Sequence, residues 1–221
     1  MTGREATVAA GEATAAAGDA GEAAVATGAA TVRGRRRREA VLDAAERLFL
    51  ARGFLGASMD ELGAAAGITG PGLYRHFASK DALLMAVLDR IWADLKPAIA
   101  TARGLPPDTA LDVLLAAHLD LAVGQPGALV LLIRELRHLP DDYRARADRN
   151  HRRYVDAWVD ALTRRTPPVL SRVEARTVAL AVHGLIDAAV VRAGPEPAAA
   201  GDRRELLERL SRGALDAAFA S

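Results

Sequence analysis

Two groups of residues in this chain have types and spacing that could do chemistry. The first is cationic and hydroxylic. Five arginines occupy the six positions from Arg33 to Arg38, and Ser58, Thr69, Tyr74, Arg75, His76 and Lys80 follow. Guanidinium forks, hydroxyls and helix N-termini bind phosphate; none of them transforms a substrate by itself. The second group is imidazole, indole, phenol and carboxylate set into apolar runs. His118 sits in VLLAAHLDLAV and His183 in VALAVHGLIDAAVV, with Asp187 one turn on. Tyr154 and Trp158 stand at i and i+4, and Arg134 and His138 punctuate ALVLLIRELRHL. A polar group inside an apolar stripe is either a hydrogen-bonded core residue or part of a pocket wall. Both alternatives stay open for His118, His183, Tyr154 and Trp158. Arg134 has the further alternative of a surface pair with Glu135 or Asp141.

Composition narrows the classes. There is no cysteine, hence no disulfide, thiolate metal site or cysteine nucleophile. No Gly-rich phosphate loop with a following Lys, no G-x-S-x-G and no H-E-x-x-H is present, so an enzyme is not expected. No cofactor and no metal are expected either, a site from His118, His183 and Asp187 being disfavoured. The apolar run 128–133 is too short to span a membrane and ends at Arg134. A cytoplasmic protein without a membrane partner is the expectation, nucleoid-associated when bound to DNA. The net charge of +1 conceals an asymmetry. Residues 32–80 hold nine Lys or Arg against five Asp or Glu, a surplus of four on the first domain. A basic first domain is what a phosphate-binding surface requires.

The elements that must position these groups are helices. Ser58 with Glu61 forms the capping-box pattern, Leu62 and Ala65 or Ala66 supply an apolar face, and Gly67 suits the left-handed exit of a helix. Thr69 caps a second short helix with Pro71 in its first turn, and Leu73 and Phe77 share its buried face. This pattern is a helix-turn-helix, whose second helix enters the DNA major groove. A first helix is expected over 36–52, ended by Gly53, and a fourth from Ser79 to about Ala102, kinked or ended by Pro97. Helices over 108–123, 126–138, 141–164, 171–193 and 202–219 follow, with no sustained period-2 alternation. The expected class is all-α: an N-terminal three-helix DNA-binding domain (32–80) and a C-terminal helical bundle for ligand and dimerisation (81–221). Residues 1–31, rich in Ala and Gly with few large apolar side chains, read as a disordered tail.

Three segments carry a resemblance: RREAVLDAAERLFLARGF (37–54), SMDELGAAAGI (58–68) and GLYRHFASKDALLMAVLDRI (72–91). Together they resemble the DNA-binding domain of the TetR family of bacterial transcriptional regulators. The resemblance implies a homodimeric regulator, usually a repressor, released from a palindromic operator by a small molecule bound in the bundle. It implies DNA-backbone contacts from Tyr74, His76 and Lys80, and core positions for Leu73 and Phe77. The residues themselves add Arg35, Arg36, Arg37, Arg38 and Ser58 as phosphate contacts, with Thr69, Gly70, Gly72 and Arg75 facing the groove. The family dimerises through its last two helices. The candidates here are Val178, Val182, Leu185, Ala189, Leu207 and Leu210, whose faces the sequence does not divide between protomer core and partner. Residues 134–162 are also similar to actinobacterial regulators of lipid metabolism that respond to acyl-CoA thioesters. That similarity implies an acyl tunnel lined by Leu114, Leu115, Leu131, Leu132 and Trp158, with Arg134 or Arg137 at its mouth. A DNA-binding architectural protein without an effector is the alternative.

Overall fold

The computed structural model describes residues 34–165, 169–193 and 200–220. The expected tail and Arg33 lie outside the described residues. The chain divides into two compact units, 1–43 and 44–221, with the boundary inside the first helix. Among the described residues every regular element is helical. In order they are α1 (34–56), α2 (Met59–Ala65), α3 (Gly70–Tyr74), α4 (Lys80–Ala102), α5 (Pro107–Gly124) and α6 (Pro126–Glu135). A 3₁₀ turn (Leu136–His138), α7 (Asp141–Arg164), α8 (Arg172–Ala193) and α9 (Ala200–Ala217) complete the chain.

The first unit contributes the opening turns of α1, in which Arg35, Arg36, Arg37 and Arg38 are all exposed. In the second unit, α2 begins as its sequence predicts. Ser58 Oγ accepts from the Glu61 N–H at 3.2 Å, and Glu61 Oε2 accepts from the Ser58 N–H at 3.0 Å. Gly67 then turns the chain at φ +67°, a conformation that costs any other L-residue about 1–2 kcal/mol. Thr69 caps α3 by accepting from the Gly72 N–H at 3.1 Å. Leu73 and Phe77 are buried, so α3 is anchored by one face and its other face is free to meet a partner.

Helix α4 runs unbroken past Pro97, where the sequence predicts a kink or an end. The ring removes one backbone donor, but Ala93 and Pro97 are exposed, so water can take the orphaned Ala93 carbonyl. The inner face of α4 (Leu83, Leu84, Val87, Leu88, Ile91, Trp92 and Leu95) is buried, and α4 packs on α5, α6 and α7. Tyr143 of α7 donates to Asp89 Oδ1 at 3.1 Å, and Arg146 pairs with Asp89 at 3.1 Å. Burial and that carboxylate push the Tyr143 phenol up. Helix α1 extends beyond its expected end. Gly53 takes φ +71°, and a last turn carries Phe54 back into the core at 5% exposure. Helix α6 is shorter than expected, giving way to the 3₁₀ turn at Leu136. Its Gly127 approaches the second-unit part of α1 so closely that a Cβ there would collide with the Glu46 carboxylate and Leu50.

The left-handed turn gives a direct test. Gly67→Ala should cost about 1–2 kcal/mol, lowering the midpoint of thermal unfolding by roughly 2–4 °C per kcal/mol for a chain of this size. A melt of the variant beside the parent chain measures it.

Candidate functional site

The outward face of the helix-turn-helix is small and specific in composition. Thr69, Pro71, Tyr74, Arg75 and His76 are exposed, Tyr74 by 53%, while Leu73 and Phe77 hold the helix from below. Thr69 is bound to the α3 N-terminus through its cap, so its methyl and hydroxyl are fixed at the end that enters a groove. Gly72 is half-buried with its Cα beside the Thr69 hydroxyl. The four exposed arginines of α1 stand in the first turns of a helix, whose positive dipole end favours an anion.

Three of the expected DNA contacts are placed differently. Gly70 is buried, and its Cα faces the Asp60 carboxylate of α2 rather than the groove. Ser58 has both donors occupied, because its N–H and its hydroxyl each donate to Glu61 Oε2, at 3.0 and 2.9 Å. Those bonds, the backbone one foremost, hold the Glu61 carboxyl below the usual range, and Arg52 pairs with the same group. Lys80 turns inward. Its ammonium donates to the Ala57 carbonyl at 2.9 Å and lies 4.6 Å from the centre of the Phe54 ring. Local spacing shows a lysine after a helix-turn-helix. It does not show that an aromatic ring and a bare carbonyl wait beneath it.

The bundle interior brings together five of the residues singled out from the sequence. His118 of α5 and His183 of α8 stack with ring centres 4.5 Å apart, and Tyr154 of α7 lies parallel to His183 at 5.0 Å. Trp158 meets His183 edge-on at 4.9 Å. Asp187 Oδ1 stands 3.2 Å from His118 Nε2, but the two are not aligned as a hydrogen bond. Trp158 Nε1, both nitrogens of His118, Nε2 of His183 and Asp187 Oδ1 are buried without a hydrogen-bond partner. Buried polar atoms without a protein partner cost about 1–3 kcal/mol each, so this cluster is the interior's candidate binding site. Among the described residues no group of three or more His, Cys, Asp or Glu side chains could hold a metal.

The other expected pocket residues are elsewhere. His138 stacks on Phe54 at 6.0 Å and sits 3.6 Å from Glu135, at the joint between α1 and the 3₁₀ turn. Arg134 and Arg137 are exposed. Leu114, Leu115 and Leu131 are packed in the core, and Leu132 is half-buried. Two clefts on the bundle surface run between α4 and α7, and none of these residues lines either one. The dimer candidates divide sharply. Val182 and Leu207 are buried inside the protomer and are unavailable to a partner; Val178, Leu185 and Ala189 are half-buried; Leu210 is exposed. The sequence reading missed Leu180 of α8 as a candidate and assigned no face to Leu206 of α9; both are exposed. Period alone identifies an apolar helix but not which of two apolar faces the protomer covers.

Residues 41–87 match the family described as bacterial regulatory proteins, tetR family. The chain carries a TetR-family head. Beyond it, similarity thins. The transcriptional activator FasR of Mycolicibacterium smegmatis is 48% identical over 54 residues, 24% of this chain and 25% of that protein. The transcriptional regulator EthR of Mycobacterium tuberculosis is 37% identical over 89 residues, 37% of this chain and 41% of that protein. The chain therefore matches less than half the length of these TetR-type relatives. The fold carries further. The crystal structure of AibR with isovaleryl coenzyme A and operator DNA superposes with a TM-score of 0.63 over 83% of this chain and 98% of that one, at 24% identity. The whole architecture is thus shared with that neighbour, an N-terminal helix-turn-helix with a helical C-terminal bundle.

The imidazole cluster makes stability depend on pH. Burial first, then the neighbouring imidazoles of His118 and His151, holds His183 well below the usual histidine range. Folded His183 stays neutral where the unfolded chain, with an ordinary pKa of about 6.5, takes up a proton. Stability should therefore fall as pH drops below about 6.5, by up to about 1.4 kcal/mol per pH unit from this group. Denaturant unfolding between pH 8 and 5 should show that slope, and His183→Phe should flatten it.

Proposed function

We propose that this protein is a dimeric, sequence-specific DNA-binding transcriptional regulator, a repressor released from a palindromic operator by a small hydrophobic ligand. The observation that carries the reading is the face of α3. Its apolar residues are spent on anchoring, while Thr69, Tyr74, Arg75 and His76 point outward from a TetR-family head. Arginines 35–38 would neutralise phosphates, Tyr74 and His76 would contact the DNA backbone, and Thr69 and Arg75 would meet base edges. With two glycines and no long side chain at the start of α3, DNA shape would carry part of the specificity. The functional division is proposed at residue 80, α4 linking head to bundle. The ligand would act by preferring the conformation that does not fit the operator. The unsatisfied cluster around His118, His183, Trp158 and Asp187 is the favoured interior site, with Tyr154 as its apolar wall. A fatty acyl-CoA is one candidate ligand class. Support for it comes from structural neighbours crystallised with isovaleryl coenzyme A and stearoyl-CoA.

Selection of duplexes from a random pool tests the core of this reading, and enrichment of a palindrome is expected. Arg36→Ala with Arg37→Ala should weaken all sequences alike and reduce the slope of log K against log salt by about 1.8, about 0.9 per phosphate contact. Thr69→Ala or Arg75→Ala should instead change the preferred sequence, each lost base contact costing about 1–3 kcal/mol. An architectural binder would enrich no palindrome and would ignore every ligand.

Dimerisation is proposed through the exposed apolar surface of α8 and α9, Leu180, Leu206 and Leu210. Leu206→Glu with Leu210→Glu should give a monomer by light scattering and an operator affinity at least about 100-fold weaker. Val182 and Leu207, being core, should when truncated lower the melting point instead.

A further inference from the structure

Several surface arginines of the bundle pair with carboxylates. Arg144 pairs with Asp141, Arg146 with Asp89, Arg165 with Asp108 and Asp216, and Arg172 with Asp160. Arg176 pairs with Asp156, Arg204 with Asp120, and Arg212 with Asp112 and Glu208. At one concavity, three cations without such a partner come together. A cleft of about 160 Å³ between α4 and α7 is lined by Lys96, Arg103, Asn150 and Arg153 over a floor of Trp92, Leu95, Ile99 and Ala100. Lys96, Arg103 and Arg153 are exposed, and none lies within ion-pair distance of a carboxylate among the described residues. A second cleft of about 330 Å³ adjoins it and shares Arg103.

We propose that this α4–α7 cleft binds an organic phosphate, its apolar body on the Trp92–Leu95–Ile99 floor and its phosphate held by Lys96, Arg103 and Arg153. Three cations around one concavity repel one another, and an anion with more than one negative charge removes that repulsion. Arg103 is also favoured by its place at the negative end of the α4 dipole, but that reason does not extend to Lys96 or Arg153. The floor is continuous with the α4 core: Trp92 and Leu95, 5% and 2% exposed, form its rigid base, while Ile99 and Ala100 offer the accessible apolar surface. Asn150 adds an amide that donates to a phosphate or ester oxygen. Arginine forks bind phosphate bidentately as they bind carboxylate, and the second negative charge of a phosphate monoester is what favours it over a carboxylate beside three cations. The site is separate from the imidazole cluster, and it stands whether or not the head binds an operator.

Calorimetric titration of the full chain without DNA tests it, with 1-naphthyl phosphate as probe and 1-naphthol, 1-naphthoate and inorganic phosphate as comparisons. Saturable binding of the naphthyl phosphate with Kd below about 1 mM is expected, at least about tenfold tighter than any of the three comparisons. Arg103→Gln with Arg153→Gln should weaken it at least about tenfold while leaving the melting point within about 2 °C, since both residues are exposed and unpaired. Arg172→Gln with Arg176→Gln removes the same charge elsewhere and should leave binding unchanged. Equal affinity for 1-naphthol would assign the binding to apolar burial alone and overturn the proposal. So would equal affinity in the Arg103/Arg153 variant, or no saturable binding below about 1 mM.

Discussion

The structure depends on one constraint: helix α4 must belong to the head at one end and to the bundle along the rest of its length. Its first residue, Lys80, holds the Ala57 carbonyl and the Phe54 ring, fixing the end of α1. Its later turns bury seven large side chains against α5, α6 and α7. A helix that is packed so closely transmits displacement as a rod does, because an interior at near-crystalline density does not absorb a shift of even a methyl group. That the helix continues through Pro97 is part of the same constraint. The tertiary contacts on its inner face outweigh the single lost backbone bond on its wet side.

A second joint lies beside the first. The Phe54 ring meets both the Lys80 ammonium and the His138 imidazole, and Gly127 of α6, having no side chain of its own, packs directly against the Glu46 and Leu50 side chains of α1. In the proposed reading, a ligand that moves α6 or the 3₁₀ turn therefore acts directly on the helix that precedes the helix-turn-helix. From the sequence, two of the three partners in that stack are expected as a DNA contact and a pocket residue. Their joint role follows from an aromatic contact over long sequence separation, which has no local signature.

The bundle places its polar groups in two contrasting ways. On the surface, several arginines meet carboxylates, in exposed pairs that contribute little individually, typically about 0–1 kcal/mol. In the interior, the stacked rings of His118, His183 and Tyr154 and the edge of Trp158 leave several hydrogen-bonding atoms idle. The unsatisfied atoms inside and the cations gathered at the α4–α7 cleft are both concentrations of polar groups without a protein partner. Concentrations of that kind are where binding energy can be gained.

Much of this was legible in the residues. The capping box at Ser58, the left-handed Gly67, the Thr69 cap and the buried pair Leu73 and Phe77 are local consequences of side-chain chemistry and helical period, and all are found where the spacing puts them. The all-helical class and the identity of the head follow from the same short-range signals. The convergence of His118, Tyr154, Trp158, His183 and Asp187, taken from three helices, needed the tertiary structure. So did the division of α8 and α9 into covered and open faces, the inward turn of Lys80 and the unpaired rim of Lys96, Arg103 and Arg153. The physical reason is distance along the chain. A cap or a turn is decided within four residues by the backbone's own hydrogen bonds, whereas a stack, a cleft or an orphaned charge exists only once separate helices have packed.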